Sequence, residues 1–234
     1  MTITSWAEPD SEWDLTISVS PEHPRASLAE DVEAAIEKAP ARLDGSRVVQ
    51  MWIEDVQQGD DEIVSSLLAP YRDLLQLRRE LPAEPSGLTT RPFEPDRDAD
   101  EWIQVNNRAF SWHPEQSGMT HGRLAAAMAE DWFDADGFRI LELDGRIAGF
   151  CWTKVHAGTI PTLGEIYVIA VDPDFHGRGL GGPMTLAGLE WLADQGIGVS
   201  NLYVESDNAP ALATYERLGF TTHSVNRAYA TPST

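Results

Sequence analysis

A mixed α/β fold is predicted by three observations along the 234 residues of the chain. Segments with alternating or β-branched apolar residues, such as residues 15–19, indicate strands. Segments with apolar residues three and four positions apart, such as residues 96–110, indicate helices. Asp144-Gly145 between two apolar segments indicates a hairpin. Strands joined both by hairpins and by helices predict a mixed central sheet covered by helices.

The order of the predicted elements divides the chain into two parts. Residues 88–230 read as strand, helix, helix, three strands, helix, strand, helix and strand, which is a domain of ordinary size. The Pro- and Gly-containing segment 82–87 reads as a linker. Residues 1–87 read as strand, helix, strand, helix and strand, which resembles the later portion of the second part without a glycine-rich loop. We therefore expect a truncated, degenerate copy at residues 1–87 and the functional domain at residues 88–234.

The composition argues against several classes of function. A net charge of −21 argues against nucleic acid, because binding it needs a basic face, and no segment approaches the roughly 20 apolar residues of a membrane-spanning helix. The N-terminal residues are acidic where a secretion signal is basic and then apolar, and a single cysteine fits a reducing compartment. We therefore expect a cytoplasmic protein. The acidic charge either serves solubility or attracts a cationic, amine-bearing substrate, and both interpretations stay open.

The most informative stretch is a strand, a glycine-rich loop and a helix at residues 165–195. The apolar, β-branched residues 166–171 predict the strand. Pro183 suits the first turn of the helix, because the N–H group that proline lacks has no helical partner there. A turn of this kind presents backbone N–H groups and a helix N-terminus to an anion, usually a phosphate. The sequence therefore predicts a phosphate-bearing ligand.

Two nucleotide-binding motifs fit this loop poorly. Gly177, Gly179 and Gly182 have the spacing of the dinucleotide fingerprint, and Glu205 stands where a ribose-binding acid would be. The loop begins several residues after its strand, however, and only about 30 residues follow Glu205, too few for the rest of such a sheet. The nucleotide P-loop requires a lysine after its last glycine, and Pro183 stands there instead.

Two other motifs of the sequence give a more specific interpretation. His176-x-x-Gly179-x-Gly181 resembles the loop that holds the pyrophosphate of acetyl-CoA in the GCN5-related N-acetyltransferases, the GNAT family, with histidine in the place of the family's Gln or Arg. A second segment resembles the other signature of the family, through Asn208, Ala211, Tyr215, Gly219 and Phe220. The resemblance implies a GNAT fold, with a mixed central sheet and a splayed strand pair that binds acetyl-CoA. It also implies that residues 1–87 are a shortened, degenerate GNAT-like half.

Further segments within residues 88–230 resemble the mycothiol synthase family, a branch of the GNAT enzymes. They are residues 113–116, 131–134, 152–156, 202–208 and 214–222. This resemblance implies direct acetyl transfer from acetyl-CoA to the cysteinyl amine of cysteinyl-glucosaminyl-inositol, or desacetylmycothiol. Two alternatives stay open, namely a GNAT enzyme for another small primary amine and a non-catalytic acyl-CoA-binding module. The expected partner is a small-molecule amine, without nucleic acid or membrane, in a monomer or homodimer.

Two residues are the candidates for the proton transfers of the reaction. An acetyl transfer to an amine needs a base for the amine proton and an acid for the departing thiolate. Glu165 opens the strand beside the glycine-rich loop, and the resemblance implies that it contacts the amine, so we expect it to be the general base. Tyr215 shares a helix face with Asn208 and Ala211, so we expect it to be the general acid. The alternatives are a solvated acid at a strand end and a core tyrosine.

The remaining candidate residues bind the two substrates. The N–H group of Ala170 or Val171 is the expected donor to the thioester oxygen. For the acceptor, the resemblance implies contacts from Glu115, Lys154 and Tyr203 in addition to Glu165. For acetyl-CoA, strand backbone groups, the loop and the second signature give the candidates Ile169, Ala170, Val171, His176, Gly177, Arg178, Gly179, Leu180, Gly181, Gly182, Asn208, Ala211 and Tyr215. The histidines lack the spacing of metal ligands, so no metal is expected.

Overall fold

The structure is a computed structural model that describes residues 3–6, 13–42, 45–112 and 117–232. The chain forms two compact units. The first contains Met1–Leu77, Val204–Ala209 and Thr222–Thr234, and the second contains Arg78–Tyr203 and Pro210–Thr221. The last strand of the sequence is therefore part of the first unit. The expectation that residues 1–87 are a degenerate copy and residues 88–234 the functional domain stays a prediction. The two compact units describe how the chain packs and do not test whether one part arose by duplication.

Ten strands and six helices follow one another along the described residues. In chain order they are β1 Ile3–Trp6, β2 Leu15–Val19, α1 Leu28–Glu37, β3 Val49–Ile53, α2 Asp60–Val64, β4 Ala69–Glu80, β5 Arg91–Pro92, α3 Pro95–Ala109, α4 His121–Met128, β6 Phe138–Leu143, β7 Arg146–His156, β8 Leu163–Val171, α5 Gly181–Asp194, β9 Val199–Glu205, α6 Ala209–Arg217 and β10 Thr221–Ala230. From β5 onward this is the order that the sequence predicts. In the part of the chain that the structure describes, no helix is both long and apolar enough to cross a membrane.

The first unit contains a strand–helix–strand arrangement with parallel strands. β2 pairs with β3 in parallel, β1 pairs with β2 antiparallel, and β10 pairs with β3 antiparallel. Its core is aliphatic and includes Ile17, Leu28 and Met51. The helix predicted over residues 60–68 ends at Val64, because the Ser65 hydroxyl donates to the carbonyl of Glu62 and the following residues form turns.

The second unit contains an antiparallel run of strands. β5, β6, β7 and β8 pair in that order, and β8 pairs with β9 in parallel. The predicted hairpin is confirmed, with φ angles of 54° at Asp144 and 73° at Gly145, which suit a type I′ turn. Its core is aromatic and contains Trp102, Phe138 and Trp152. The strand predicted at residues 88–93 is reduced to β5, because a proline there has no N–H group for the ladder.

The parallel pair β8 and β9 separates part of the way along its length. Pairing runs from Leu163 with Val199 to Ile166 with Leu202, while β8 continues to Val171. The ladder between β7 and β8 shifts register between Trp152 and Thr153, and Tyr167 is the unmatched residue. The prediction of a mixed sheet with a splayed strand pair is therefore confirmed. The splay leaves one edge of β8 without a strand partner from Tyr167 to Val171 among the described pairs.

Candidate active site

The loop between β8 and α5 is open on its outer side. Gly177 and Gly179 have φ angles of 76° and 71°, a left-handed conformation that favours glycine. A Cβ atom added at either residue, or at Gly181, would meet no atom within 4 Å. α5 begins at Gly181, and the first turn of a helix leaves its N–H groups without intrahelical partners. Pro183 lies in this first turn, as predicted. The loop thus offers backbone N–H groups and a helix N-terminus to an anion.

Side chains beneath this loop hold it in place. Asp172 is fully buried, accepts a hydrogen bond from the N–H of Asp174 at 2.9 Å and forms an ion pair with Arg108 of α3. The guanidinium of Arg178 lies over the ring of Phe175, 4.7 Å from its centroid. Both contacts are made on the inner side of the loop, away from its open outer side.

His176 is the residue that departs from the family signature. Its Nε2 atom lies 2.9 Å from the carbonyl oxygen of Val171, so the ring links the loop to the end of β8. The His176 ring thus contacts the strand end from which the loop starts, and Gly177 and Gly179 have the left-handed conformation at the outer side of the loop. The contact of His176 with acetyl-CoA stays a prediction.

The unpaired edge of β8 presents particular backbone groups. The N–H of Asp172 donates to the carbonyl of Ala148 at 2.9 Å, on the β7 side of β8. Because successive backbone groups of a strand point to opposite sides, the N–H of Ala170 also points toward β7. The N–H groups of Val171 and Ile169 then point to the unpaired edge. Of the two predicted donors to the thioester oxygen, this alternation favours Val171.

Glu165 lies on β8 where that strand is still paired on both sides. The residue is 8% exposed, and its Oε2 atom lies 2.6 Å from Nε2 of His156. Its cross-strand partner on β7 is Lys154, and its partner on β9 is Asn201, which is buried. The Asn201 Oδ1 atom has no hydrogen-bond partner among the described residues. The carboxylate therefore stands among buried polar groups and is not a solvated acid at a strand end.

Lys154 is held against aromatic rings on the same face as Glu165. Its Nζ atom lies 4.5 Å from the ring centroid of Trp132 and 5.5 Å from that of Tyr167. Tyr167 is 38% exposed, and its phenol pKa is raised by burial and by the charges of Glu165 and Glu130. An ammonium, a phenol and an indole therefore form one wall beside the carboxylate. Such a wall can hold a substrate with hydroxyl groups and apolar ring faces.

Tyr215 lies on α6 and is half-buried. Burial raises its pKa, and the nearby thiol of Cys151 raises it further, so the phenol is protonated at neutral pH. Cys151 is the Cα partner of Ile169, which lies within the unpaired edge of β8. α6 ends as predicted, with Gly219 at a φ of 77° and the N–H of Phe220 donating to the carbonyl of Tyr215 at 3.0 Å.

The remaining predicted site residues are Glu115, Tyr203, Asn208 and Ala211. Glu115 lies outside the described residues. Tyr203 is exposed and directly follows the last β9 residue that pairs with β8. Asn208 belongs to the first unit and Ala211 to the second. Their contacts with acetyl-CoA stay predictions. Among the described residues, no group of three or more His, Cys, Asp or Glu side chains could hold a metal ion.

Sequence reasoning missed three residues of this site, namely His156, Tyr167 and Trp132. His156 and Lys154 are two positions apart on β7, and Glu165 and Tyr167 are two positions apart on β8. This alternation could have indicated that the four residues share one face of the sheet, because two strands joined by a short loop bring such pairs together. The pairing itself could not be predicted from the sequence, since the β-bulge at Tyr167 shifts the register by one residue.

Comparison with known proteins agrees with this geometry. The sequence profile of the Acetyltransferase (GNAT) family matches residues 99–220, more than half of the chain. A mycothiol acetyltransferase of Actinosynnema mirum is 43% identical over 232 residues, which are 94% of this chain and 76% of the relative. A mycothiol acetyltransferase of Rhodococcus erythropolis is 43% identical over 231 residues, which are 90% of this chain and 77% of the relative.

Solved structures share the fold at low sequence identity. A GCN5-related N-acetyltransferase of Sphaerobacter thermophilus superposes with a TM-score of 0.72 at 19% identity, over 100% of this chain and 78% of that one. A tandem GNAT protein of the clavulanic acid biosynthesis pathway gives a TM-score of 0.59 at 17% identity, over 94% of this chain and 76% of that one. The open loop, the splayed strand pair and these similarities lead to one conclusion: the chain belongs to the GNAT family of acetyltransferases, in the group of the mycothiol acetyltransferases.

Proposed function

We propose that this acetyltransferase transfers the acetyl group of acetyl-CoA to the cysteinyl amine of desacetylmycothiol in one direct step, giving mycothiol. The observation that carries the choice of acceptor is the 43% identity with mycothiol acetyltransferases over 94% of the chain. The buried Glu165 carboxylate, on the face shared with Lys154, agrees with an acceptor that carries both an amine and hydroxyl groups.

Acetyl-CoA fits the open loop and the unpaired edge of β8. The pyrophosphate is held by the N–H groups of residues 177–182 at the N-terminus of α5, where the helix dipole favours negative charge. The pantetheine arm runs along the unpaired edge of β8 as an added strand would, with its amides bonded to backbone groups of that edge. The thioester oxygen accepts a hydrogen bond from the N–H of Val171, which stabilises the negative charge of the tetrahedral intermediate.

Glu165 and Tyr215 carry the proton transfers. Glu165 takes a proton from the ammonium, and the neutral amine attacks the thioester carbon to form a tetrahedral intermediate. The carbon–sulfur bond then breaks, and the sulfur receives a proton from the Tyr215 hydroxyl while the nitrogen gives up its second proton. That second proton restores Tyr215, so one turnover releases one proton to solvent. The raised pKa of Tyr215 keeps this hydroxyl protonated until the sulfur leaves.

The acceptor is held by the wall beside Glu165. The Lys154 ammonium lies over the rings of Trp132 and Tyr167, where it can donate to sugar or inositol hydroxyls. Tyr203 and Glu115 complete the proposed contacts, by resemblance to the mycothiol synthases. The net charge of −21 favours the approach of a cationic acceptor over an anionic one.

The choice of acceptor is tested by product formation. The protein is incubated with acetyl-CoA and desacetylmycothiol or each of a panel of small primary amines, and the acetylated product is measured by mass spectrometry. Mass detection is needed because the acceptor carries a thiol of its own. Turnover at the highest kcat/KM with desacetylmycothiol supports the proposal. Turnover only with other amines contradicts the acceptor, and binding of acetyl-CoA without any turnover indicates a non-catalytic module.

The two catalytic assignments are tested by substitution. Glu165→Gln and Tyr215→Phe each lower kcat by roughly 10²–10⁴, the usual contribution of a positioned acid or base. Glu216→Gln is the matched control, because this exposed glutamate is next to Tyr215 in the sequence. Wild-type rates in either active-site variant would remove that residue from the mechanism.

Three further proposals concern the whole chain. We propose that it works in the cytoplasm, that it is a monomer or homodimer, and that residues 1–87 descend from a second GNAT half. The parallel β2–α1–β3 arrangement supports the last proposal, because β8–α5–β9 has the same order and direction. Light scattering of the purified protein distinguishes a monomer or dimer from larger assemblies.

A further inference from the structure

His156 makes a contact in the active site that the reaction above does not use. It is the last residue of β7, and its Nε2 atom lies 2.6 Å from Oε2 of Glu165. The histidine side chain is 30% exposed, whereas that of Glu165 is 10% exposed. The histidine thus lies between a buried carboxylate and solvent.

The backbone around His156 fixes where its ring can lie. The carbonyl of His156 accepts hydrogen bonds from the Thr159 hydroxyl at 2.9 Å and from the Thr159 N–H at 3.2 Å. The Thr159 hydroxyl oxygen in turn accepts from the N–H of Leu163 at 3.0 Å. Leu163 is also the Cα partner of His156 across the two strands. This closed set of hydrogen bonds ties the end of β7 to the start of β8.

The direction of the hydrogen bond follows from the role of Glu165. A carboxylate that acts as a base is ionised and can only accept hydrogen bonds. The Nε2 atom must therefore carry a hydrogen and donate it to Oε2. The other oxygen, Oε1, has no hydrogen-bond partner in the part of the chain that the structure describes.

We propose that His156 is a positioning residue that orients the base: its Nε2–H donates to Oε2 of Glu165 and directs Oε1 at the acceptor amine. This inference rests on the proposed role of Glu165. A glutamate side chain has three rotatable bonds, and a donor at one oxygen fixes the plane of the carboxylate before the substrate arrives. Catalytic groups of this kind depend on neighbours that hold their geometry.

Lys154 is the other cation next to Glu165, and it does not take over this role. It is the cross-strand partner of Glu165, but its Nζ atom lies over the rings of Trp132 and Tyr167. Among the described residues, the structure records no hydrogen bond between Lys154 and Glu165. The orientation of the carboxylate therefore depends on His156.

Two variants of His156 test the proposal in steady-state kinetics, with the amine that the wild-type protein acetylates fastest. His156→Leu removes the donor, and we expect kcat to fall about 10²-fold, the low end of the contribution of a proton-transfer group. KM for acetyl-CoA and for the amine stays within about threefold, since Glu165 binds neither through Oε2. His156→Gln places an amide N–H at similar reach and restores kcat to within about tenfold of the wild type.

The control is a second histidine that contacts a carboxylate. His121 Nε2 lies 2.7 Å from Oδ1 of Asp100, and both side chains are exposed, so His121→Leu leaves kcat unchanged. The double variant His156→Leu/Glu165→Gln is no slower than Glu165→Gln alone, because His156 acts only through Glu165. An unchanged kcat in His156→Leu, no recovery in His156→Gln, or a further loss in the double variant would each overturn the proposal. A failure of the proposed function itself is detected separately. The amine panel shows whether the acceptor is wrong, and a wild-type rate in Glu165→Gln shows that the base is wrong.

Discussion

The strand–turn–helix at β2 and α1 and the one at β8 and α5 have the same order but differ in their turns. In each unit a strand is followed by a turn, a helix and a second strand that is parallel to the first. The turn after β8 contains Gly177 and Gly179 in left-handed conformation, with open space where a Cβ would stand. The turn after β2, residues 20–27, contains no glycine.

The turn after β2 and the start of α1 contain larger side chains and acidic residues where the turn after β8 contains glycines. His23 is 5% exposed, and the Nε atom of Arg25 lies 2.8 Å from Oδ1 of the buried Asp60. The first turn of α1 contains Glu30 and Asp31, whereas the first turn of α5 contains no acidic residue. Carboxylates at a helix N-terminus use the favourable end of the dipole themselves and repel a phosphate.

The comparison shows that a strand–turn–helix alone does not make an anion site. Both helices carry a dipole of the same direction, but only α1 has acidic residues in its first turn, and α5 has none. The residues of the turn, and not the order of the elements, decide whether phosphate binds. We expect one acetyl-CoA site for each chain, at β8 and α5.

The largest effect is expected when an acid is placed in the first turn of α5. Outside the adjacent residues, the nearest atom to a Cβ at Gly182 is 3.9 Å away, and the charge of Gly182→Asp opposes the pyrophosphate. We expect KM for acetyl-CoA to rise at least about 10²-fold, because several charge-assisted hydrogen bonds weaken together. Ala29→Asp makes the same change in the first turn of α1 and leaves KM unaltered.

Calorimetric titration sharpens this prediction. The wild-type protein binds one acetyl-CoA per chain, Ala29→Asp also binds one, and Gly182→Asp binds none at concentrations that saturate the wild type. Two sites in the wild type, or one remaining tight site in Gly182→Asp, would show that the turn after β2 binds acetyl-CoA after all.

A smaller effect is expected from the buried carboxylates that support the two turns. Asp172→Asn removes the charge that pairs with Arg108 beneath the open loop. We expect KM for acetyl-CoA to rise about tenfold, as for the loss of one hydrogen bond to a charged group. Asp60→Asn removes the charge that pairs with Arg25 and lowers the free energy of unfolding by about 1.5–3 kcal/mol without changing KM. Urea denaturation and initial rates measure the two quantities, and a raised KM in Asp60→Asn would contradict the distinction.

A further effect concerns the dependence of stability on pH. Burial alone would raise the pKa of Asp98 in the second unit, but hydrogen bonds from Arg91 and from the Glu94 N–H, with the charges of Arg91 and Arg97, lower it below its ordinary value. Because the folded-state pKa is the lower one, this stabilisation is complete above about pH 4, the unfolded value, and is lost as pH falls through the folded value. Asp98→Asn lowers the free energy of unfolding by about 2 kcal/mol at pH 7, and the difference from the wild type shrinks below pH 4.

Asp61 provides the comparison in the first unit. The Tyr229 hydroxyl lowers the pKa of Asp61 against the opposing effect of burial, and Arg227 lowers it further. Its side chain is about half exposed, so solvent screens these contacts and Asp61→Asn changes stability less than Asp98→Asn. Thermal unfolding at pH 7 and pH 3 tests both. A difference for Asp98→Asn that stays constant with pH would rule out the linkage.

The sequence predicts most of the fold because its periodic patterns are long. The helix at Pro95–Ala109 and the hairpin at Asp144-Gly145 lie where apolar spacing and turn chemistry place them. The strand Ile3–Trp6 is missed, since its four residues are too few to show a period. Short elements depend on their partners, and the partner of this strand is β2.

The candidate site divides in the same way between local and distant information. The loop at residues 177–182 can be predicted because its glycines lie close together in the sequence and their conformation is a local property. The contact between His156 and Glu165 depends on the register of two strands with a bulge, which no local pattern fixes. The ring positions of Trp132 and Tyr167 around Lys154 likewise require the packed structure.

The burial of Cys151 has a consequence for an enzyme that handles thiols. It is the one cysteine of the chain, and burial between β7 and α5 raises the pKa of its thiol to about 12. Thiol–disulfide exchange requires a thiolate that can reach the other sulfur, and this thiol meets neither condition. CoA and a cysteinyl acceptor can therefore pass through the active site, even in oxidised form, without being trapped on the protein as mixed disulfides.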